Sequence, residues 1–232
     1  TAIFLPNGQE WLGTSVGEKE LDEALLKREL GGRGLHQWSG YLSEEFLYEL
    51  QGRKGAQYFE QMRRNDTAIG AMYMAISMLI RSSQASVSIP VPKSDRKKSH
   101  EKAAEWYETV VDDMEGRPED WIEDGLTAVI HGYALEEITY KIRDSENSDY
   151  HDGKLGIKEV SPRSQLGIEK WAFDEHDKAI GYWHRGKWGA QETFIPLSKS
   201  LHFRTTRERD NPEGYSFLRN SVRAYKQVNV VQ

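Results

Sequence analysis

The sequence predicts an α+β fold, with helices first and antiparallel strands after them, on three observations. Apolar residues recur at helical spacing between Ser43 and Gly132. The period drops to two at Tyr133. Beyond residue 150, short strand-like runs are separated by turn-forming clusters. The 232 residues make one large domain or two small ones, and either can bury a real core. Seven Trp and eleven Tyr exclude a disordered chain. Hydrophobic residues are 38% and charged residues 29% of the chain, which suggests extensive solvated or intersubunit surface.

Residues 1–42 read as an irregular N-terminal arm. Gly at 8, 13, 17, 31, 32, 34 and 40 interrupts every pattern except a short helix around "EKELDEALLKREL". "GGRG" (31–34) lacks the spacing of a phosphate-cradling loop and reads as a linker. In "SEEFLYELQ", Ser43 as N-cap with acids behind it predicts a helix. "KGAQYFEQMRR" continues it. Asn65 or Asp66 then caps a further helix carrying Ile69, Met72, Ile76, Leu79 and Ile80 on one face, which reads as core packing before it reads as a pliable Met-rich groove. "QASVSIPV" (84–91) alternates like a short strand. "SDRKKSHEKAAEWYETVVDDM" predicts a long helix with Trp106, Tyr107, Val110, Val111 and Met114 inward, and its "RKK" (96–98) reads as a solvated face. Pro118 sits at a first helical position, with Trp121, Ile122, Leu126, Val129 and Ile130 for burial.

From Tyr133, "YALEEITYKIR" puts Ile138, Tyr140 and Ile142 on one face and Thr139, Lys141 and Arg143 on the other. "DSENSDYHDGK" is a polar loop with an Asp-Gly turn. Five strand-like runs follow, "LGIKEV", "IEKWAF", "IGYWHR", "ETFIPL" and "SLHFRT", with "DEHDKA" and "GKWGA" as hairpin connections. Asn211, Pro212 and Gly214 predict a β-to-α corner, Ser216 a cap, and Phe217, Val222 and Tyr225 a packing face, with Arg219, Arg223 and Lys226 pointing elsewhere.

The chemistry that the composition excludes is broad. Without cysteine there is no disulfide framework and no thiolate zinc site, and a reducing compartment is the expectation. The longest apolar stretch, "AIGAMYMAISMLI" (68–80), is shorter than the ~20 residues that span a bilayer. A net charge of -6 advertises no global affinity for nucleic acid, although local patches still bind phosphate. The His-Asp pairs His151/Asp152 and His176/Asp177 invite a metal-dependent hydrolase or nuclease. Both lie in turns, where Asp is favoured for geometry alone, and no zinc-hydrolase spacing is present.

Four blocks carry a resemblance. "YFEQMRRNDTAIGAMYMAISMLIRSSQASV" (58–87), "AVIHGYALEEITYK" (128–141), "EKWAFDEHDKAIGYWHR" and "IPLSKSLHFRTTRERDNPEGYSFLRNSVRAYKQ" (195–227) stand in the order and spacing of tailed-phage portal proteins. The last block, an Asn-Pro-x-Gly-x-Ser-x-Leu-Arg run into an aromatic-Lys helix, most closely resembles that family. The resemblance covers residues 45 to 227. It implies a portal wing: residues 43–132 as its helical part, 133–208 as its antiparallel β part, and 209–232 as the turn and start of a helix toward a stem. The family's stem, clip and tunnel loop find no counterpart before Gln232.

The resemblance further implies a ring, usually of twelve subunits, at one capsid vertex of the virion, assembled in the host cytoplasm. Its implied partners are its own copies, double-stranded DNA, the terminase large subunit, the major capsid protein and neck or adaptor proteins, with no membrane. It implies neither an enzyme nor a cofactor, since the terminase hydrolyses ATP. The basic cluster Arg204, Arg207, Arg219, Arg223 and Lys226 is then a candidate subunit-contact or DNA-facing surface. The alternatives are the metal-dependent hydrolase and a monomeric head–tail adaptor.

Overall fold

The computed structural model describes residues 3–4, 10–11, 32–82, 97–186 and 191–230. The helix expected within 18–30, the strand expected at 84–91 and most of the "GKWGA" connection lie outside them. The chain divides into two units, Thr1–Arg33 and Gly34–Gln232. In the first, Ile3–Phe4 (β1) and Glu10–Trp11 (β2) pair antiparallel.

The second unit has the expected α+β character. Gln37–Trp38 (β3) and Tyr41–Leu42 (β4) form a small hairpin within the stretch expected to be irregular. The helices are α1 (Gly52–Asn65), α2 (Thr67–Arg81), α3 (Lys98–Asp112), α4 (Pro118–Gly125) and α5 (Ala128–His131). The strands are β5 (Tyr133–Ile142), β6 (Leu155–Arg163), β7 (Ile168–Phe173), β8 (Ala179–His184), β9 (Thr193–Pro196) and β10 (Ser200–Arg204), followed by α6 (Val222–Val230). The strands make two antiparallel three-stranded sheets, ordered β10-β5-β6 and β7-β8-β9.

Two apolar clusters hold these layers. Leu50, Phe59, Met62, Ile69 and Ile130 meet Leu218, Val222 and Tyr225 in the helical cluster. Tyr133, Leu135, Ile168, Trp171, Tyr182 and Ile195 form the cluster of the strands. Trp171 is the hub of the latter, with Tyr133, Tyr182 and His202 rings 5.6–5.9 Å from its own. Its indole Nε1 donates to Glu213 Oε1 at 3.1 Å, and its backbone N–H donates to Gly40 O at 2.9 Å. Satisfying the indole N–H is what lets so large a ring sit in a core.

Local signals were followed where nothing distant competed. Asp66 ends α1 and caps α2, its Oδ1 accepting from Ala68 N at 2.9 Å and Ile69 N at 3.1 Å. At the other end of the helical run, Gly132 closes α5 in the left-handed region (φ 95°) and launches β5.

Four expectations are corrected. "SEEFLYELQ" is not an α-helix: only Tyr48–Leu50 coil, as one 3-10 turn. Ser43 Oγ donates to His36 O instead of capping, and the acids are drawn to cations far along the chain. On α2 the inward face is Ile69, Tyr73, Ile76 and Ser77, while Met72 and Leu79 face solvent. On α3 only Val110 of the expected set is fully buried, and Tyr107 is exposed. After the corner, Val222 and Tyr225 pack inward as expected, but Phe217 is exposed and Leu218 joins the core in its place, just ahead of a 3-10 turn at Arg219–Ser221.

The face pattern of β5 also breaks. A bulge between Thr139 and Tyr140 shifts the register against β6. Tyr140 and Ile142 are exposed, whereas Arg143 is buried, held by Asp152 and by Thr109 Oγ1 at 2.9 Å, and Lys141 Nζ lies 3.2 Å from an Asp113 carboxylate. Thr109 on α3, Asp113 at its exit and Asp152 in the β5–β6 connection thus turn the basic face of the strand inward.

Candidate subunit-contact surface

The five cations of the candidate surface fall into two kinds. Arg204 Nη1 donates to Asp210 Oδ1 at 2.9 Å and to Asn211 O at 3.1 Å, bracing the corner from beneath. Arg219 engages Glu45 with both Nε (2.5 Å) and Nη2 (2.8 Å), a two-pronged pair. Lys226 pairs with Glu49. Arg207 and Arg223 are exposed and have no ion pair among the described residues.

The acids that answer these cations share one segment. Glu44 accepts from Arg209 Nη1 at 2.9 Å, Glu45 from Arg219, and Glu49 from Lys226. Residues 44–49 are thereby tied, rung by rung, to residues 209–226. Burial pushes the Glu45 carboxyl up, but its Arg219 and backbone hydrogen bonds outweigh that and hold it below the ordinary range. Sequence reasoning missed these partners because nothing local in "SEEFLYE" marks an acid as bound for a cation more than 160 residues away.

The corner itself is built from backbone. Gly214 takes φ 58°, and Thr205 joins it to the end of α5: its N–H donates to Gly132 O at 3.0 Å and its Oγ1 accepts from Tyr215 N at 3.0 Å. Ser216 Oγ donates to Ile130 O at 2.5 Å and accepts from Leu218 N at 3.1 Å, a local turn that ties this segment to the end of α5; the expected cap is not formed, since the 3-10 turn starts from Leu218 with no side-chain cap. His202 Nε2 lies 2.7 Å from Pro212 O, and burial lowers the pKa of this histidine to about 4, so the neutral ring donates.

The His-Asp pairs do not converge. His151 and Asp152 lie in the β5–β6 connection, and His176 and Asp177 in the β7–β8 turn of the other sheet. Asp152 is committed to Arg143, and Asp177 Oδ1 accepts from Gln37 Nε2 at 3.1 Å. Among the described residues no three His, Asp or Glu side chains are grouped to hold a metal ion. The perturbed groups include a close pair, His131 Nε2 lying 3.8 Å from a Glu60 carboxylate. Glu136 is fully buried with both carboxylate oxygens unpaired, and burial, with Asp124 nearby, raises its pKa to about 8. His131 is pushed down to about 4 by burial.

The arrangement is a helical layer and two sheets, with residues 44–49 tied to 209–226 by ion pairs across the β-to-α corner. A family model described as the portal protein of Mu bacteriophage matches residues 56–226, and the chain belongs to that family of phage portal proteins. None of the curated proteins compared with it matches the chain.

Proposed function

We propose that the chain is one subunit of a portal ring, of twelve copies, at a single vertex of the phage capsid. The ring is the passage for double-stranded DNA during packaging and ejection. It docks the terminase large subunit, the major capsid protein and the neck or adaptor proteins, and it is assembled in the host cytoplasm. Chemistry belongs to the terminase, and the portal subunit is not itself an enzyme. The observation that carries this reading is the portal family match across residues 56–226. It is supported by the corner that joins the strands to α6, where the sequence most closely resembles the family. No helix among the described residues is long and apolar enough to cross a membrane.

Within this reading the helical part, the strand part and the corner make the wing, and the basic cluster divides its work. Arg204, Arg219 and Lys226 fasten the subunit to itself, and Arg207 and Arg223 are the cations offered to a neighbour's acids. A head-to-tail contact can use opposite charges on the two flanks of one protomer. Native mass spectrometry of the full-length product tests the proposal: species near twelve subunits support it, and a chain that stays monomeric under all assembly conditions contradicts it.

A further inference from the structure

Helix α2 has no charged residue between Asp66 and Arg81. Its inward side is spent on Ile69, Tyr73, Ile76 and Ser77. The opposite side is just as apolar: Ala68, Ala71, Met72, Met74, Ala75, Met78 and Leu79 are all exposed, Met74 and Met78 at 58% and Leu79 at 72%. At 100° per residue these seven positions form one continuous face, wider than the ~100° stripe an ordinary surface helix needs for its own core. Helices that are apolar all round are buried ones. The exposed area, roughly 500 Å², is as large as the largest apolar patch of a typical monomer and over half of one partner's share of a standard protein interface.

The helix is held so that this face stays presented. Asp66 fixes its N-terminus and Arg81 pairs with Glu123 of α4 at 2.9 Å at the other end. The chain also exposes apolar side chains of different composition within one short segment, the aromatics Trp38, Tyr41, Phe46 and Tyr48. Methionines pack well against aromatic rings, and a head-to-tail contact needs two unlike faces on one protomer.

We propose that the outward face of α2, centred on Met78 and Leu79, is an intersubunit contact whose occupant is a second copy of this chain. The contact is apolar and heterologous, the kind that builds a ring when its rotation closes, and it acts beside the contact offered by Arg207 and Arg223. This rests on the portal reading but names a surface that the reading does not supply.

The chain has no cysteine, so Met78→Cys introduces a single reporter thiol. Its rate of maleimide labelling is compared in the dilute single chain and in assembled rings, with Lys102→Cys on exposed α3 as the control. The expected result is a fast reaction in the single chain and one slowed about tenfold or more in rings, with no such change at position 102. Leu79→Glu should raise the concentration needed for assembly about tenfold or more without altering the fold, since its side chain lies outside the core. Rings in which the M78C thiol still reacts at the single-chain rate overturn the α2 contact and leave the portal reading standing. A thiol already protected in the dilute single chain overturns it too, because the chain then covers α2 itself. A chain that never assembles overturns both.

Discussion

Gly132 and Gly214 meet at the β-to-α corner. Both hold positive φ, 95° and 58°, and a Cβ on Gly132 would come 2.5 Å from Glu213 O, while one on Gly214 would overlap Gly132 O. The glycine that ends the helical run and the glycine that ends the strand run are therefore a pair. Each leaves room for backbone of the other's segment, Gly132 for Glu213 O and Gly214 for Gly132 O, and together they set the path of the chain from α5 into β5 and from β10 toward α6.

Gly132→Ala and Gly214→Ala should each destabilise the chain by about 2–4 kcal/mol, through left-handed strain plus a backbone clash. Urea unfolding checks this, and the two effects should be far from additive because both clashes fall at one close approach of the two segments. Gly153→Ala is the control: it has positive φ (66°) but open space around it, so it carries strain alone and should cost less.

The Glu45–Arg219 pair should contribute about 1 kcal/mol, limited by solvent screening of two partly exposed groups. A double-mutant cycle with Glu45→Ala and Arg219→Ala measures it. Because the folded-state pKa of Glu45 is depressed, its contribution is present above the ordinary Glu range and is lost as pH falls through the folded value. Removing the pair should also loosen residues 44–50, seen as faster amide exchange at Leu50, whose N–H is bonded only to Leu47 O.

Stability should peak near pH 6.5, where the histidine window ends and the overlapping Glu136 window is still open. His131 and His202 have folded pKa values near 4, so the unfolded chain binds more protons between about 4 and 6.5, and stability falls as pH drops through that range. Glu136 has its pKa raised to about 8, so the folded chain binds the extra proton, and stability falls as pH climbs from the ordinary Glu range to about 8. Each group contributes at most about 1.4 kcal/mol per pH unit, and the two histidines together outweigh Glu136 at the acid side. Unfolding of Glu136→Gln across pH 6–9 should lose the alkaline slope. An unchanged slope would assign it to another group.

Arg207→Glu with Arg223→Glu should impair subunit assembly while leaving the unfolding free energy within about 0.5 kcal/mol, since neither side chain has an intrachain ion pair among the described residues. Sedimentation of the variant against the wild type reads the first effect, and urea unfolding reads the second. Arg219→Glu, in contrast, should lower stability as well, because it sets a like charge against Glu45.

Much of the fold was legible because local signals met no rival. "IEKWAF" became β7 with Ile168 and Trp171 buried, and β10 ran through the His-Phe pair as its alternation suggested. The phase of α2 was not legible. Met, Ala, Leu and Ile occur on every side of it, so a 3.6-residue period has nothing polar to lock onto, and only packing against α1 and α4 chooses the inward face. The helix expected after Ser43 failed because its acids answer cations at 209, 219 and 226, and those pairs are invisible in a local window. Of the candidate surface, the sequence named the cations but not which were already taken.

The central claim is that this chain forms a portal ring, and negative-stain electron microscopy of the full-length product tests it most directly. The account predicts annular particles with a central hole and near twelvefold symmetry. A field of single monomers under conditions that assemble the capsid proteins would contradict it.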